Sequence, residues 1–413
     1  MPAQERRLLI LAVAILVPLA ILGVRVAVTP ETTDFRCLWT GAAFVLSGRD
    51  PYDLADWTRA TYSVGLDAFG RTRESNCFGS YPYPFTTAIA MVPLGILPLG
   101  VAAVIWEVLL FVGAVIGAWL LARAAGLSRV LGLAVIVMVL ISQPFEQTVM
   151  SAQSGGVSML ALGLLAAPTL GAGRAGAGLV LAALKPHVIP LVPLVRVRGQ
   201  RPSMVAVAVL PLVVLAVVSF AVRPAWPLGW ILELTGQRRE MFRDAVSLWT
   251  LASVAGLPAL GPVLVAAGVV PLVVAARRAR DLHVVDAIAV VALAWLVFIP
   301  YGLTSGQLVP LAAAWVAILR RAVIPTTSEP LIAALFAVAG VFPWAMYLVR
   351  FDVLAYNGLE VTSALVPLAT SAVLASALWR SAKVAIGTEE EREGDGDLTI
   401  GTRVRDSRLV EDG

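Results

Sequence analysis

"RRLLILAVAILVPLAILGVRVAV" occupies Arg6–Val28, and "TTDFRCLWTGAAFVLSGRDPYD" follows it at Thr32–Asp53. The first stretch is apolar and long enough to cross a bilayer as a helix, which takes about 20 residues. Its apolar core exceeds the h-region of a signal peptide and no clear small-x-small site follows it. It therefore reads as a retained span, with Arg6 and Arg7 anchoring its cytoplasmic end. In the second stretch Phe35, Leu38, Trp39, Ala42, Val45 and Leu46 recur at helical spacing. Thr33 or Asp34 stands where an N-cap would be. The expectation is a short amphipathic helix on the outer membrane surface, with Trp39 at the interface. Asp34 is then either its cap or a carboxylate held for chemistry where span and surface helix meet.

The same apolar character runs along the chain. Of 413 residues, 59% are hydrophobic and 14% charged, and the mean hydropathy is +0.86. Soluble proteins carry about 25% charged residues, so the composition describes an all-α polytopic membrane protein and excludes a set of soluble domains. The net charge of +4 does not point to nucleic acid. Its arginines cluster at span ends, in "RVRGQR" (196–201), "RRAR" (277–280) and "RR" (320–321), which marks cytoplasmic loops. About twelve spans are expected, near 8–29, 84–98, 100–122, 130–142, 156–170, 175–195, 203–222, 257–276, 284–300, 306–320, 330–348 and 359–379. Both termini then lie in the cytoplasm, and the loops 30–82 and 223–246 lie outside. Arg123 and Arg129 fall on the outer side in this count, unless 84–98 only dips into the membrane. The transmembrane domain is 1–383. The tail 384–413 is charged, Gly-rich and without aromatics, and is expected to be disordered. No internal repeat of the kind common in secondary transporters is evident.

Several polar residues interrupt this apolar pattern. In "SGRDPYD", Gly48 ends the helix and Pro51 prevents its continuation, which displays Arg49, Asp50 and Tyr52 on a turn. In "SYPYPF" (80–85), Pro82 and Pro84 set an extended path back to the membrane. Tyr81 and Tyr83 are either interface anchors or the lining of a groove for a sugar or lipid chain. "QPFEQTVMSAQSGG" (143–156) brings Gln153 between two apolar runs. Lys185 lies in an apolar segment just before Pro186 and His187. An ionisable residue inside a span is a site hypothesis by default: Lys185 either neutralises a phosphate or snorkels to the interface. Arg238, Arg239 and Arg243 would lie outside, against the positive-inside rule. They suit an anionic partner such as a phosphate head group, or form a solvated loop face. Cys37 and Cys77 share the first outer loop and either form a disulfide or remain two thiols. There is no Walker motif, nucleotide-binding glycine fingerprint or zinc-protease motif. His187 and His283 are the only histidines. No cofactor and no metal is expected.

An Asp just after the first span, then "GRDPYD", "YPYPF", "AQSGGVSMLALGLL", "ALKPH" and "FIPYGLTSGQLVPL", in that order, resembles glycosyltransferase family 87, the DUF2029 proteins of the GT-C fold. The likeness extends over roughly 8–380 and is similar to polyprenol-phosphate-mannose-dependent mannosyltransferases. It implies a GT-C fold with outer-face surface helices and a general base at Asp34. The G-x-D-P-Y turn is matched by Gly48, Asp50, Pro51 and Tyr52, and the K-P element by Lys185 and Pro186. The Y-P-P element is altered to Tyr81-Pro82-Tyr83-Pro84. The G-Q-x-N element keeps only Gln153. The late S-P element is matched by Pro300 and Tyr301, with no His or Asp after it.

From this follows an expected activity: sugar transfer, mannose by resemblance, from a polyprenyl-phosphate donor to a lipid or glycan hydroxyl outside the plasma membrane, with inversion. Asp34 takes the acceptor proton. Lys185, Arg238, Arg239 and Arg243 hold the donor phosphate. Arg49, Asp50, Tyr52, Tyr81, Tyr83, Gln153, His187 and Tyr301 line the substrate groove. Two other readings share the many spans: a transporter or lipid flippase, which leaves the Asp34-headed helix and the aromatic-rich loop unexplained, and a non-catalytic assembly subunit.

Overall fold

The computed structural model describes residues 3–74, 77, 81–166, 172–184, 202–236, 246–278, 282–299, 305–324, 327–349 and 361–380. Helix α1, Ala3–Ala27, is the expected first span. Its flank of Ile10, Val13, Val17, Ile21 and Val24 is exposed, as a lipid-facing surface must be when nothing else covers it. A single 3₁₀ turn, Pro30–Thr32, leads to α2, Phe35–Leu46. α3, Leu54–Thr61, and a two-stranded antiparallel hairpin (β1 Val64–Leu66, β2 Thr72–Glu74) complete the described part of the first loop.

The segment at 84–98 departs from the expected span. It forms two short helices, α4 Phe85–Ala90 and α5 Val92–Gly95, broken at Met91. Neither is long enough to cross a bilayer. The physical reason is proline and close packing. Pro93 and Pro98 interrupt the helical path, and a Cβ on Gly95 would lie 2.6 Å from that of Ala42, so α5 presses onto α2. Trp39 joins the same contact by donating its indole N–H to the carbonyl of Leu97 at 2.9 Å. The pair is thus a shelf beneath α2.

α6, Leu99–Ala124, is the long central helix. Its 26 residues extend about 39 Å at 1.5 Å each. α9, Gly155–Ala166, packs along it. A Cβ on Gly113 would meet the carbonyl oxygen of Gly156 at 2.6 Å, and one on Gly163 would meet that of Gly117 at 2.6 Å. Small residues let the two backbones approach closely, the usual way helices associate where lipid removes any hydrophobic drive. Between them α7, Arg129–Ile141, and α8, Gln143–Met150, meet at a bend of 55°. Pro144 in the first turn of α8 fits that break.

Farther along, α10 is Ala172–Ala183, α11 Pro202–Val222 and α12 Trp226–Thr235. The last two are bent by 91° at the start of the expected second outer loop. α13 Leu248–Val254, α14 Leu260–Arg278 and α15 Val284–Phe298 follow. A 3₁₀ segment, Ser305–Leu311, runs into α16, Ala312–Val323. α17, Glu329–Val349, contains a π-helical turn, and α18 is Thr362–Arg380. Among the described residues five helices are long and apolar enough to cross a membrane, or up to seven if each bent pair is one span. Four shorter apolar helices accompany them. The tail 384–413 lies outside the described residues.

The apolar interior is in two parts. One is built on α6, α9, α15 and α16, with Trp315 wholly buried. The other gathers α2, the shelf and the start of α6 around Phe35, Trp57 and Trp106. Polar groups collect along the seam between them.

Candidate active site

Asp34 sits at that seam. Its backbone N–H donates to the carbonyl of Ser151 at 3.0 Å. Its half-buried carboxylate accepts from Nε2 of Gln153 at 2.6 Å. Its own φ and ψ are helical, and its side chain makes no capping bond to α2. Thr33 is the residue in extended conformation before the helix, and its hydroxyl turns back to the carbonyl of Pro30 at 2.8 Å.

The partner of Asp34 is a clasp formed by Ser151, Ala152 and Gln153, between α8 and α9. Ala152 holds φ at +50°, in the left-handed region. This costs an L-residue about 1–2 kcal/mol. The strain lets the carbonyl before it and the side chain after it reach the same aspartate. The carbonyl of Ala152 accepts from the indole of Trp106 at 2.9 Å, and Trp106 stacks on Phe35 with ring centroids 5.5 Å apart. Phe35 is the residue after Asp34, so the aspartate is held from both sides of the chain.

A second glutamine extends the clasp. Gln307, in the 3₁₀ segment, donates from Nε2 to Oε1 of Gln153 at 2.6 Å, and both side chains are buried. Next to it, Thr148 donates its hydroxyl to the carbonyl of Gly306 at 3.0 Å. Gln307 was in the quoted motif "TSGQL" but carried no expected role. A lone glutamine in a polar break gives no signal until a partner 154 residues away is known.

Cys37, one helical turn from Asp34, forms a disulfide with Cys77, with Cα atoms 5.1 Å apart. Both are buried. The indole of Trp57 donates to the carbonyl of Cys77 at 2.8 Å. Cys77 therefore ties α2 to α3.

The "SGRDPYD" turn is braced on both flanks. Gly48 takes φ +67° and ends α2. Arg49 forms a two-pronged pair with Asp56, at 2.7 and 2.5 Å, and its guanidinium lies 4.0 Å from the centre of the Phe44 ring. The Arg49 guanidinium holds the Asp56 carboxyl below the usual carboxylate range. Asp50 accepts the N–H of Tyr52 at 3.0 Å and pairs with Arg223, which begins the bend between α11 and α12. Arg223 was not singled out from sequence. Among the described residues of the 223–246 loop it is an arginine that engages an anionic group, and that group is internal.

The Tyr52 hydroxyl donates to the carbonyl of Tyr83 at 2.8 Å. Burial, with Asp50 beside it, pushes its phenol well above the ordinary range, partly offset by Arg223. Tyr81 is wholly buried between Tyr52, Trp57 and Tyr83, and its hydroxyl has no hydrogen-bond partner among the described residues. Trp230 of α12 donates to the carbonyl of Pro82 at 3.2 Å. Thr87 of the shelf donates to the carbonyl of Leu184 at 2.9 Å, at the end of α10.

The structure thus brings Asp34 and Gln153 into contact. Arg49, Asp50, Tyr52, Tyr81 and Tyr83 form an aromatic and ionic block built on the same α2 and shelf. Lys185, His187, Arg238, Arg239, Arg243 and Tyr301 lie outside the described residues.

No curated protein and no solved structure matches the chain. One family model does, over residues 81–300, which include the shelf, the clasp and α6 through α15. That match extends over more than half of the 413 residues, and the chain, a multi-pass membrane protein, belongs to glycosyltransferase family 87.

Proposed function

We propose that this membrane glycosyltransferase moves a sugar, mannose in the first instance, from a polyprenyl phosphate to a hydroxyl of a lipid or glycan acceptor. The observation that carries the proposal is the geometry of Asp34. It is a half-exposed carboxylate whose backbone and side chain are both held, at the end of the first span, while its side chain makes no capping bond. A group held this way is suited to general base catalysis.

The chemistry is a single inverting displacement. Asp34 takes the proton of the acceptor hydroxyl. The acceptor oxygen forms its bond to the anomeric carbon as the bond from that carbon to the phosphate oxygen breaks. The leaving polyprenyl phosphate departs as an anion. Lys185, Arg238, Arg239 and Arg243 are the cations assigned to it, since a developing negative charge is best stabilised by fixed positive groups. The aromatic block of Tyr52, Tyr81 and Tyr83 backs the groove.

The reaction is assigned to the outer face of the plasma membrane, with the termini in the cytoplasm. The Cys37–Cys77 disulfide supports this, because such bonds persist in oxidising compartments. If 84–98 is a shelf, the turn carrying Arg123 and Arg129 falls on the cytoplasmic side, in keeping with the positive-inside rule.

The test is transfer of label from a radiolabelled polyprenyl-phosphate sugar, mannose first, to lipid acceptors in membranes, comparing wild type with Asp34→Asn at matched expression. Transfer by wild type and a loss of about 10²- to 10⁴-fold in the variant is the expected result. Equal transfer by both would return Asp34 to a structural role.

A further inference from the structure

We propose that Gln307 is a positioning residue that sets which end of the Gln153 amide faces Asp34. The inference rests on Asp34 being the reactive carboxylate, and it adds a residue to that site.

A glutamine side chain has an acceptor at one end of its amide and a two-proton donor at the other. Against a carboxylate only the donor end is useful. Turned over, the amide would set its carbonyl oxygen against Asp34. Asp34 favours the donor end, but Gln153 is buried and its other end also needs a partner. Gln307 supplies it. Its Nε2 donates to Oε1 of Gln153 at 2.6 Å, which leaves Nε2 of Gln153 to donate to Asp34 at 2.6 Å. With Gln307 donating, both bonds require the same orientation of the Gln153 amide.

The base of this chain is rigid. Thr148 donates to the carbonyl of Gly306 at 3.0 Å. A Cβ at position 306 would lie 3.2 Å from Oε1 of Gln153 and 3.2 Å from the backbone nitrogen of Thr148. A side chain at position 306 would press on the amide it adjoins and on Thr148. The carbonyl of Thr148 also accepts from the backbone of Gln153 at 3.0 Å. The 3₁₀ segment, α8 and the clasp therefore move together, and a shift of the 3₁₀ segment would be felt at Asp34.

The decisive substitution is Gln307→Glu, nearly the same size and shape but an acceptor when ionised. It draws the amino end of Gln153 toward itself and turns the carbonyl toward Asp34. In full-length enzyme in membranes, with the donor and acceptor above, the expectation is a fall of about 10- to 100-fold in kcat with little change in KM, as for loss of a group that orients a reacting one. Lowering the pH should recover part of the loss, because the introduced carboxyl regains a proton to donate. Wild type should show no such gain. A wild-type kcat in Gln307→Glu, or a loss that no acidification recovers, would overturn the proposal.

A second readout does not depend on turnover. Gln307→Glu should lower the thermal midpoint in detergent. Adding Asp34→Asn should restore it, because the new amide can donate to the turned carbonyl. Absence of that rescue would also overturn the proposal. If the rescue is seen while Asp34→Asn alone retains full transfer, the amide coupling stands and the assignment of Asp34 as the base fails. The two ideas are therefore tested separately.

Discussion

Nε2 of Gln153 lies 2.6 Å from Oδ2 of Asp34, across 119 residues of sequence. A hydrogen bond to a charged group is worth about 1.5–3 kcal/mol. Gln153→Leu should therefore cost about 10- to 100-fold in transfer, since each 1.4 kcal/mol is tenfold. Single-turnover rates at saturating donor would show it. A rate unchanged in Gln153→Leu would mean that the contact does not orient Asp34 during the reaction.

The disulfide closes a loop of 40 residues on the helix that carries Asp34. By the chain-entropy estimate, closure of that size is worth about 4 kcal/mol. Replacing Cys37 and Cys77 together by Ser should lower the thermal midpoint in detergent markedly. Because both sulfurs are buried, the wild-type bond should resist mild reductant in the folded protein and yield once the protein is unfolded. Thiol labelling with and without denaturant measures this directly.

Local pattern reveals α1 by the length of its apolar run and α2 by its helical period. Phe35, Leu38 and Ala42 are buried on α2 as the spacing required. At 84–98 the sequence leaves a span and a dip into the membrane both open, since composition alone cannot separate two short apolar helices pressed on a neighbour from one that crosses lipid. The candidate site was half legible. Asp34 stands out as an acidic residue directly after a span. Its partners do not, because Ser151, Gln153 and Gln307 reach it through long-range folding that no local spacing records. Glu107 carries no local signal for a similar reason. It is one acid in a long apolar helix, and only the fold sets its buried carboxyl beside Gly23 of α1.

Ala152 holds φ at +50° between the two groups that grip Asp34. Glycine adopts that conformation without the steric cost. Ala152→Gly should fold at least as well as wild type and keep transfer within a few fold. Ala152→Val adds a branched side chain where one is least tolerated and should lose stability and most activity together. Thermal unfolding and transfer measured on both variants separate the outcomes. A tolerated valine would show that the clasp takes another conformation in the working enzyme.

Tyr52 and Tyr81 give the protein a defined response to alkali. Burial raises both phenols above the ordinary tyrosine range, which lies near pH 10. In the unfolded chain they ionise at about that value, while in the folded chain they stay neutral. Above about pH 10 unfolding therefore releases protons, and rising pH favours the unfolded state. The contribution to stability is complete below that pH and is lost above it. The thermal midpoint should be flat through neutral pH and fall above about pH 10, and Tyr52→Phe or Tyr81→Phe should each make the fall shallower. The two differ at neutral pH. The Tyr52 hydroxyl donates to the carbonyl of Tyr83, so its loss should cost about 1 kcal/mol. The Tyr81 hydroxyl is buried with no hydrogen-bond partner among the described residues, so Tyr81→Phe should leave stability unchanged or raise it by about 1 kcal/mol. Transfer should survive that change, because a wholly buried hydroxyl does not reach substrate. A Tyr81→Phe enzyme that folds well but has lost its activity would show that the aromatic block opens during the reaction and that this hydroxyl meets the sugar.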